Sequence, residues 1–316
     1  MHILAHPEIC ATPKLPIDLE RVVFELAAHN ARGEIPRYMR VAWRVKQWLE
    51  PVLYQFLFVA VYNPNTLPDG PVGELRRIRI EAMLSLISTK PPSFLRSIKR
   101  LILNVAIEQH AKIFDLLVLS ACSHVTDLYL MSGRRQLSPA YLPRLCELRH
   151  LRRLTVAAGL LFYPNPVDYG SPLFRNITHL ELLQNYKPII FRIGQDLAQA
   201  PSLTHIAFAS TADVPVLHAA VRVIERLKCI LFRADGSTRL AAIQPLSPDD
   251  RLVCMAYHYS LVLPWYYGAV NGEDDWAVAD KFIAAKRDGK IDASHYLISD
   301  KDRIWMRHAP MNLGNI

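Results

Sequence analysis

One pattern limits what this chain can fold into more than any other: an apolar residue, two spacers, an apolar residue, one spacer, an apolar residue. It runs as SIKRLILNV at 97–105, HVTDLYLMS at 124–132, HLRRLTVAA at 150–158 and NITHLELLQ at 176–184. It continues as SLTHIAFAS at 202–210, RLKCILFRA at 226–234 and, more weakly, RLVCMAYHY at 251–259. The central apolar residues are Leu101, Leu128, Leu154, Leu180, Ile206, Ile230 and Met255, spaced by 27, 26, 26, 26, 24 and 25 residues. A period this regular predicts a stacked solenoid in which each unit buries its apolar edge on the next.

Segments 111–122, 140–148, 193–200 and 215–226 between the repeats carry apolar residues at helical spacing. One strand and one return segment per repeat predict an α/β leucine-rich-repeat solenoid, a parallel sheet with helices on its convex side. The expected organisation is a helical module at 14–55, the solenoid at 56–270, and a cap helix with tail at 271–316. Within this plan, Pro51 should interrupt a helix over 37–50, Phe56–Tyr62 reads as the first strand, and 74–90 reads as helical. A helix over 273–287 is expected to close the open end of the sheet, with Glu273, Asp274 and Asp275 complementing its dipole.

Side chains alternate across a strand. If the Leu101 column points inward, the concave face receives Arg100, Asp127, Tyr129, Arg153, His179, Glu181, His205, Leu231 and Arg233. Charges of both signs mixed with apolar groups suit a protein ligand. The same register puts His179, His205, Cys229 and Cys254 in one column, which is a zinc-type ligand set. Four adjacent strands at about 4.8 Å span roughly 14 Å, whereas zinc needs every ligand within about 2.3 Å. No metal or cofactor is expected.

The net charge of +8 is dispersed; RRIR at 76–79 and RHLRR at 149–153 are the nearest approaches to a basic block. That distribution argues against a nucleic-acid surface. The first fifteen residues lack the features of a signal peptide, and the longest apolar run, 52–62, is about half a membrane span. Five cysteines without C-x-x-C spacing suit a reducing compartment, cytoplasmic or nuclear. Hydrolase, nucleotide-loop and metalloprotease motifs are absent from the sequence, which points to a binding protein rather than an enzyme.

The amino-terminal module carries LPIDLERVVFELAA at 15–28 and RVAWRVKQWLEPVLY at 40–54. Leu15, Pro16, Asp18, Leu19, Phe24, Leu26, Val45, Trp48, Leu53 and Tyr54 resemble the Leu-Pro start, acidic residue, apolar helix, Val-x-x-x-Trp-like core and Leu-Tyr exit of an F-box. With the repeats and the acidic Trp-containing stretch at 274–276, the chain resembles fungal F-box-like proteins with leucine-rich repeats. The resemblance implies a substrate receptor of a cullin–RING ubiquitin ligase. Leu15, Pro16, Ile17, Leu19 and Phe24 would dock a Skp-type adaptor, and the concave face would hold a protein substrate. The stretch HNARGEIPRYM at 29–39 departs from the usual Asp-Pro-x-x-Leu connection. The alternative is a scaffold without ligase function, in which the F-box-like helices only cap the first repeat.

Overall fold

The computed structural model describes residues 15–60, 77–105, 118–132, 141–157, 169–183, 193–209, 214–235, 249–257, 265, 268, 272 and 274–298. They fall into two compact units, Met1–Tyr54 and Gln55–Ile316.

The first unit is helical: α1 (Ile17–Asn30), a 3-10 turn (Arg32–Glu34), α2 (Ile35–Tyr38) and α3 (Trp43–Leu53). Asp18 and Glu20 lie in the first turn of α1, where the helix dipole favours them. The core is Ala28, Ile35, Val45 and Leu49, with Phe24, Tyr38, Trp48 and Leu53 packed around it. Glu20 accepts two hydrogen bonds from Arg44, at 2.9 and 2.8 Å, tying α1 to α3. Pro51 lies inside α3 rather than ending it. In the last turn a missing N–H removes only one helical bond, so the helix continues to Leu53.

The second unit is built on one sheet of ten strands, all parallel, in the order β2-β1-β3-β4-β5-β6-β7-β8-β9-β10. The strands are β1 (Phe56–Ala60), β2 (Arg77–Arg79), β3 (Arg100–Val105), β4 (Asp127–Ser132) and β5 (Arg153–Ala157). They continue as β6 (His179–Leu183), β7 (His205–Ala209), β8 (Cys229–Asp235), β9 (Leu252–Tyr257) and β10 (Leu297–Ile298). Helices α4 (Ile80–Thr89), α5 (Pro92–Leu95), α6 (Tyr141–Glu147), α7 (Pro172–Asn176), α8 (Ile193–Leu197) and α9 (Val214–Val221) lie between them. Helix α10 (Asp275–Arg287) precedes β10. Residues 77–79, expected in a helix, instead add an edge strand beside β1.

The pairing joins Leu101 to Leu128, Leu154, Leu180, Ile206 and Ile230 in turn. Each is at most 1% exposed, and burying one such side chain contributes about 1.5–3 kcal/mol. Before each strand a carbonyl accepts from two successive amides of the next repeat. Lys99, Thr126, Arg152, Thr178 and Thr204 all do so. Between α8 and α9 the backbones nearly touch: a Cβ on Gly194 would lie 2.1 Å from the Ala220 carbonyl oxygen, so only glycine fits.

The last repeat departs from the expected register. Ile230 pairs with Leu252, not Met255, and Met255 pairs with Arg233. An odd shift of three residues exchanges the two faces of β9. Val253 and Met255 therefore share a face with Leu231 and Arg233, and Cys254 lies with Phe232 on the other. The turn before β9 fixes this start. The Arg251 guanidinium binds the Asp249 carboxylate at 2.9 Å and the carbonyls of Arg222 and Ile224. The His218 ring meets Asp249 at 3.3 Å, and Leu252 N–H donates to the Asp249 carbonyl.

Helix α10 does not cap an end of the sheet. Trp276, Val278, Ala279, Phe282 and Ile283 share one core with Ala207, Cys229, Leu231, Val253 and Met255. The helix thus lies over the face of β7–β9.

Candidate functional site

The register brings Arg100, Asp127, Tyr129, Arg153, His179, Glu181, His205, Leu231 and Arg233 onto one face of the sheet, as the alternation predicts. Expected to be open, that face is covered by the chain's own carboxy-terminal segment. Tyr129, Glu181, His205, Leu231 and Arg233 are buried, and Arg100, Asp127, Arg153 and His179 are half-buried. A parallel sheet carrying apolar side chains on both sides needs cover on both, and Trp265, Gly268 and residues 274–283 supply it here.

The cover is held by charge at one end and by apolar packing at the other. Arg100 Nη1 donates to the Gly268 carbonyl at 2.7 Å. The Arg153 guanidinium binds Asp274 and lies 3.6 Å from Asp127. Arg233 reaches Glu181 at 3.2 Å and Asp275 at 3.4 Å. Thr155 donates to Glu181 at 3.0 Å, and the Trp265 indole N–H donates to the Thr155 hydroxyl at 3.3 Å. Trp265 also meets Tyr129 edge-on, with ring centroids 5.6 Å apart. Asp274 has a second role as the N-cap of α10, accepting from the Ala277 N–H at 2.8 Å.

Burial raises the carboxyl pKa of Glu181, against the opposing pull of Arg233 and the Thr155 hydrogen bond. Burial likewise raises Asp127, opposed by Thr126, Arg153 and Arg100. Between the arginines, the aspartates and the two tryptophans remains a cavity of about 20 Å³, room for little more than one water.

Towards α10 the His179 and His205 rings stack at 4.1 Å, 11° from parallel. Trp276 stands edge-on to both, at 5.2 and 5.8 Å. His205 Nε2 lies 3.0 Å from Asp280, while Thr178 and Thr204 bond Nδ1 of His179 and His205 respectively. Burial, then His205 and Arg153, depress the His179 pKa to about 2. With Cys254 on the opposite face, the zinc-like column does not form. Among the described residues no group of three or more His, Cys, Asp or Glu is placed to hold a metal.

In the amino-terminal unit, Phe24 turns inward, half-buried and 6.3 Å from the Tyr38 ring. Leu15, Pro16, Ile17 and Leu19 are exposed. Leu19, Val22, Val23 and Leu26, at i, i+3, i+4 and i+7, form a stripe with exposures from 53 to 60%. Helix α1 is therefore apolar on two sides. One packs on Val45 and Leu49, and the other, extended by Ile17, faces solvent.

The sequence reading missed four residues of the covered site: Trp265, Gly268, Trp276 as a wedge on the histidines, and Asp280. Three arginines on one face were the available signal, because buried cations demand carboxylates, and Asp249-Asp250 and Asp274-Asp275 are the acidic pairs that follow along the chain. Among the described residues no helix is long and apolar enough to cross a membrane. No family model matches the chain, and no curated protein matches it either.

Proposed function

We propose that this protein is a non-catalytic interaction adaptor of the F-box type. In this reading its amino-terminal helices engage a Skp-type adaptor of a cullin–RING ubiquitin ligase, and its leucine-rich-repeat unit presents a protein substrate. The observation that carries the reading is the solvent-facing stripe of Leu19, Val22, Val23 and Leu26 on α1, continued by Leu15 and Ile17. Adjoining apolar side chains of this size on one helix face are characteristic of a surface awaiting a partner. The Leu-Pro-x-Asp-Leu start of the same helix adds the sequence resemblance.

Phe24 belongs to the inner face and supports the docking surface from within, while Leu15, Pro16, Ile17 and Leu19 make the contact. The covered sheet face is not the substrate surface in the closed arrangement.

The test is co-elution of the purified full chain with a Skp-type adaptor in size-exclusion chromatography. Leu19→Asp with Val22→Asp should abolish co-elution and leave the melting temperature nearly unchanged, since both side chains already face water. A folded chain that never co-elutes with the adaptor would overturn the reading. A large drop in melting temperature for the double variant would favour the scaffold in which these helices only cap the repeats.

A further inference from the structure

We propose that the amino-terminal rim of strands β3–β6 is a docking surface for an acidic segment of a partner protein. The rim consists of the four residues leading into each strand: RSIK at 96–99, SHVT at 123–126, RHLR at 149–152 and RNIT at 175–178. These four turns hold five Arg or Lys, two His and no Asp or Glu. The concentration ends there. The next turn, PSLT at 201–204, is uncharged, and ERLK at 225–228 brings a carboxylate back.

The fold turns that dispersed sequence signal into one patch. Thr126, Arg152 and Thr178 each donate a backbone N–H to the preceding turn at 2.8 Å, so the turns are locked in register. Adjacent strands lie about 4.8 Å apart, giving a rim about 14 Å long. The His124 and His150 rings stack at 4.6 Å across two turns. Partial burial, then the neighbouring His150, Lys99 and Arg96, hold the His124 pKa below its ordinary value.

Arg96, Arg149, Arg152 and Arg175 are exposed and Lys99 is half-exposed. None of the five forms an ion pair among the described residues, and the nearby Glu147 is engaged by Arg144 at 3.0 Å. The Arg100–Asp127 and Arg153–Asp274 pairs one residue further on show that this sheet neutralises its arginines where it buries them.

Like charges set side by side destabilise a free protein, and a partner of opposite charge reverses the sign. A length of about 14 Å matches four or five extended residues at about 3.3 Å each. The rim has no Phe, Tyr or Trp on which the bases of a single-stranded nucleic acid would stack. A carboxylate-rich peptide is the partner chemistry it fits. The inference rests on the receptor reading only in taking that partner to be a protein substrate.

The experiment is fluorescence anisotropy of the full chain with a labelled octapeptide of Asp and Glu, its serine-phosphorylated counterpart and an RNA octamer. The acidic peptide should bind, and binding should weaken steeply between about 0.05 and 0.5 M salt. Arg149→Glu with Arg175→Glu should weaken it about tenfold or more at an unchanged melting temperature. Arg21→Glu with Arg37→Glu changes net charge equally outside the rim and should leave binding intact. Tighter binding of the phosphorylated peptide supports the same surface. Equal binding by wild type and the rim variant overturns the inference, as does binding of RNA without peptide. A chain that co-elutes with the Skp-type adaptor but ignores the peptide loses this inference and keeps the receptor reading. Peptide binding without adaptor binding does the reverse.

Discussion

Arg233 and Glu181 face each other at 3.2 Å with side chains 4% and 1% exposed. They lie on β8 and β6, and Asp275 from the covering helix completes the group at 3.4 Å. Removing one member of a buried pair leaves the other charge uncompensated, at a cost of about 3–5 kcal/mol. Arg233→Met should therefore lose stability on that scale in urea melts. Adding Glu181→Gln to it should restore much of the loss, because the second orphan charge goes too. A single variant within about 1 kcal/mol of wild type would show that the pair is not the closed interior contact described here.

Acid should loosen the same face through His179. In the unfolded chain this ring takes its proton near its ordinary value of 6.5, and in the folded chain only at about 2. The unfolded state binds more protons throughout that window, so stability falls as pH drops below about 6.5. The slope from this group approaches about 1.4 kcal/mol per pH unit. Glu181, with a raised pKa, contributes with the opposite sign above its unfolded value. Subtracting the pH profile of His179→Asn from that of wild type isolates the histidine. A difference that stays flat between pH 7 and 5 would contradict its half-buried, neutral state.

Trp276 joins the two halves of the cover, being 6% exposed, edge-on to the stacked histidines and part of the α10 core. Trp276→Ala should cost about 3–5 kcal/mol in chemical denaturation. It should also raise hydrogen exchange in α10 more than in β3–β5. Uniform protection across the second unit would mean the cover does not depend on this wedge.

The cysteines report how tightly the strands are covered. Cys122 and Cys254 are buried, and burial pushes their thiols to about 12; for Cys254 the nearby Lys286 opposes it. Burial raises Cys229 as well, with Asp280 adding to it. A thiol reagent at pH 8, followed by mass spectrometry, should leave all three unmodified in the native protein. Cys146, half-buried, should react first among the described cysteines. Rapid labelling of Cys254 would show that β9 is not buried between its two neighbouring layers.

Six central apolar residues, from Leu101 to Ile230, could be aligned from sequence because each follows another apolar residue by three positions, from Ile98 to Leu227, at a steady repeat length. In Leu252-Val253-Cys254-Met255-Ala256 every position is apolar, so periodicity cannot choose a register. There the Asp249–Arg251 turn decides. The edge strand at Arg77–Arg79 was hidden because three residues of RIRI read as readily as the start of α4. The cover was illegible for another reason. Arg100 and Gly268, or Thr155 and Trp265, are 168 and 110 residues apart, and no local pattern links them. Asp274 could be read as a helix cap, but its bond to Arg153 could not. On α1 the stripe was legible as apolar, while which side met solvent depended on where Val45 and Leu49 pack.

Those long separations set an order in time. Each strand meets the one before it after about one repeat of chain, so the sheet can grow as the chain is made. Gly268 reaches Arg100 only when 168 further residues exist. At synthesis rates of about 5–20 residues per second, that is a delay of about 8–34 seconds. During it the arginines and Glu181 stand in water, where they are well solvated, while Ala207, Cys229 and Leu231 wait for α10. A nascent chain stalled before Trp276 should thus present a sheet face that is apolar at β7–β9 and charged at β3–β6.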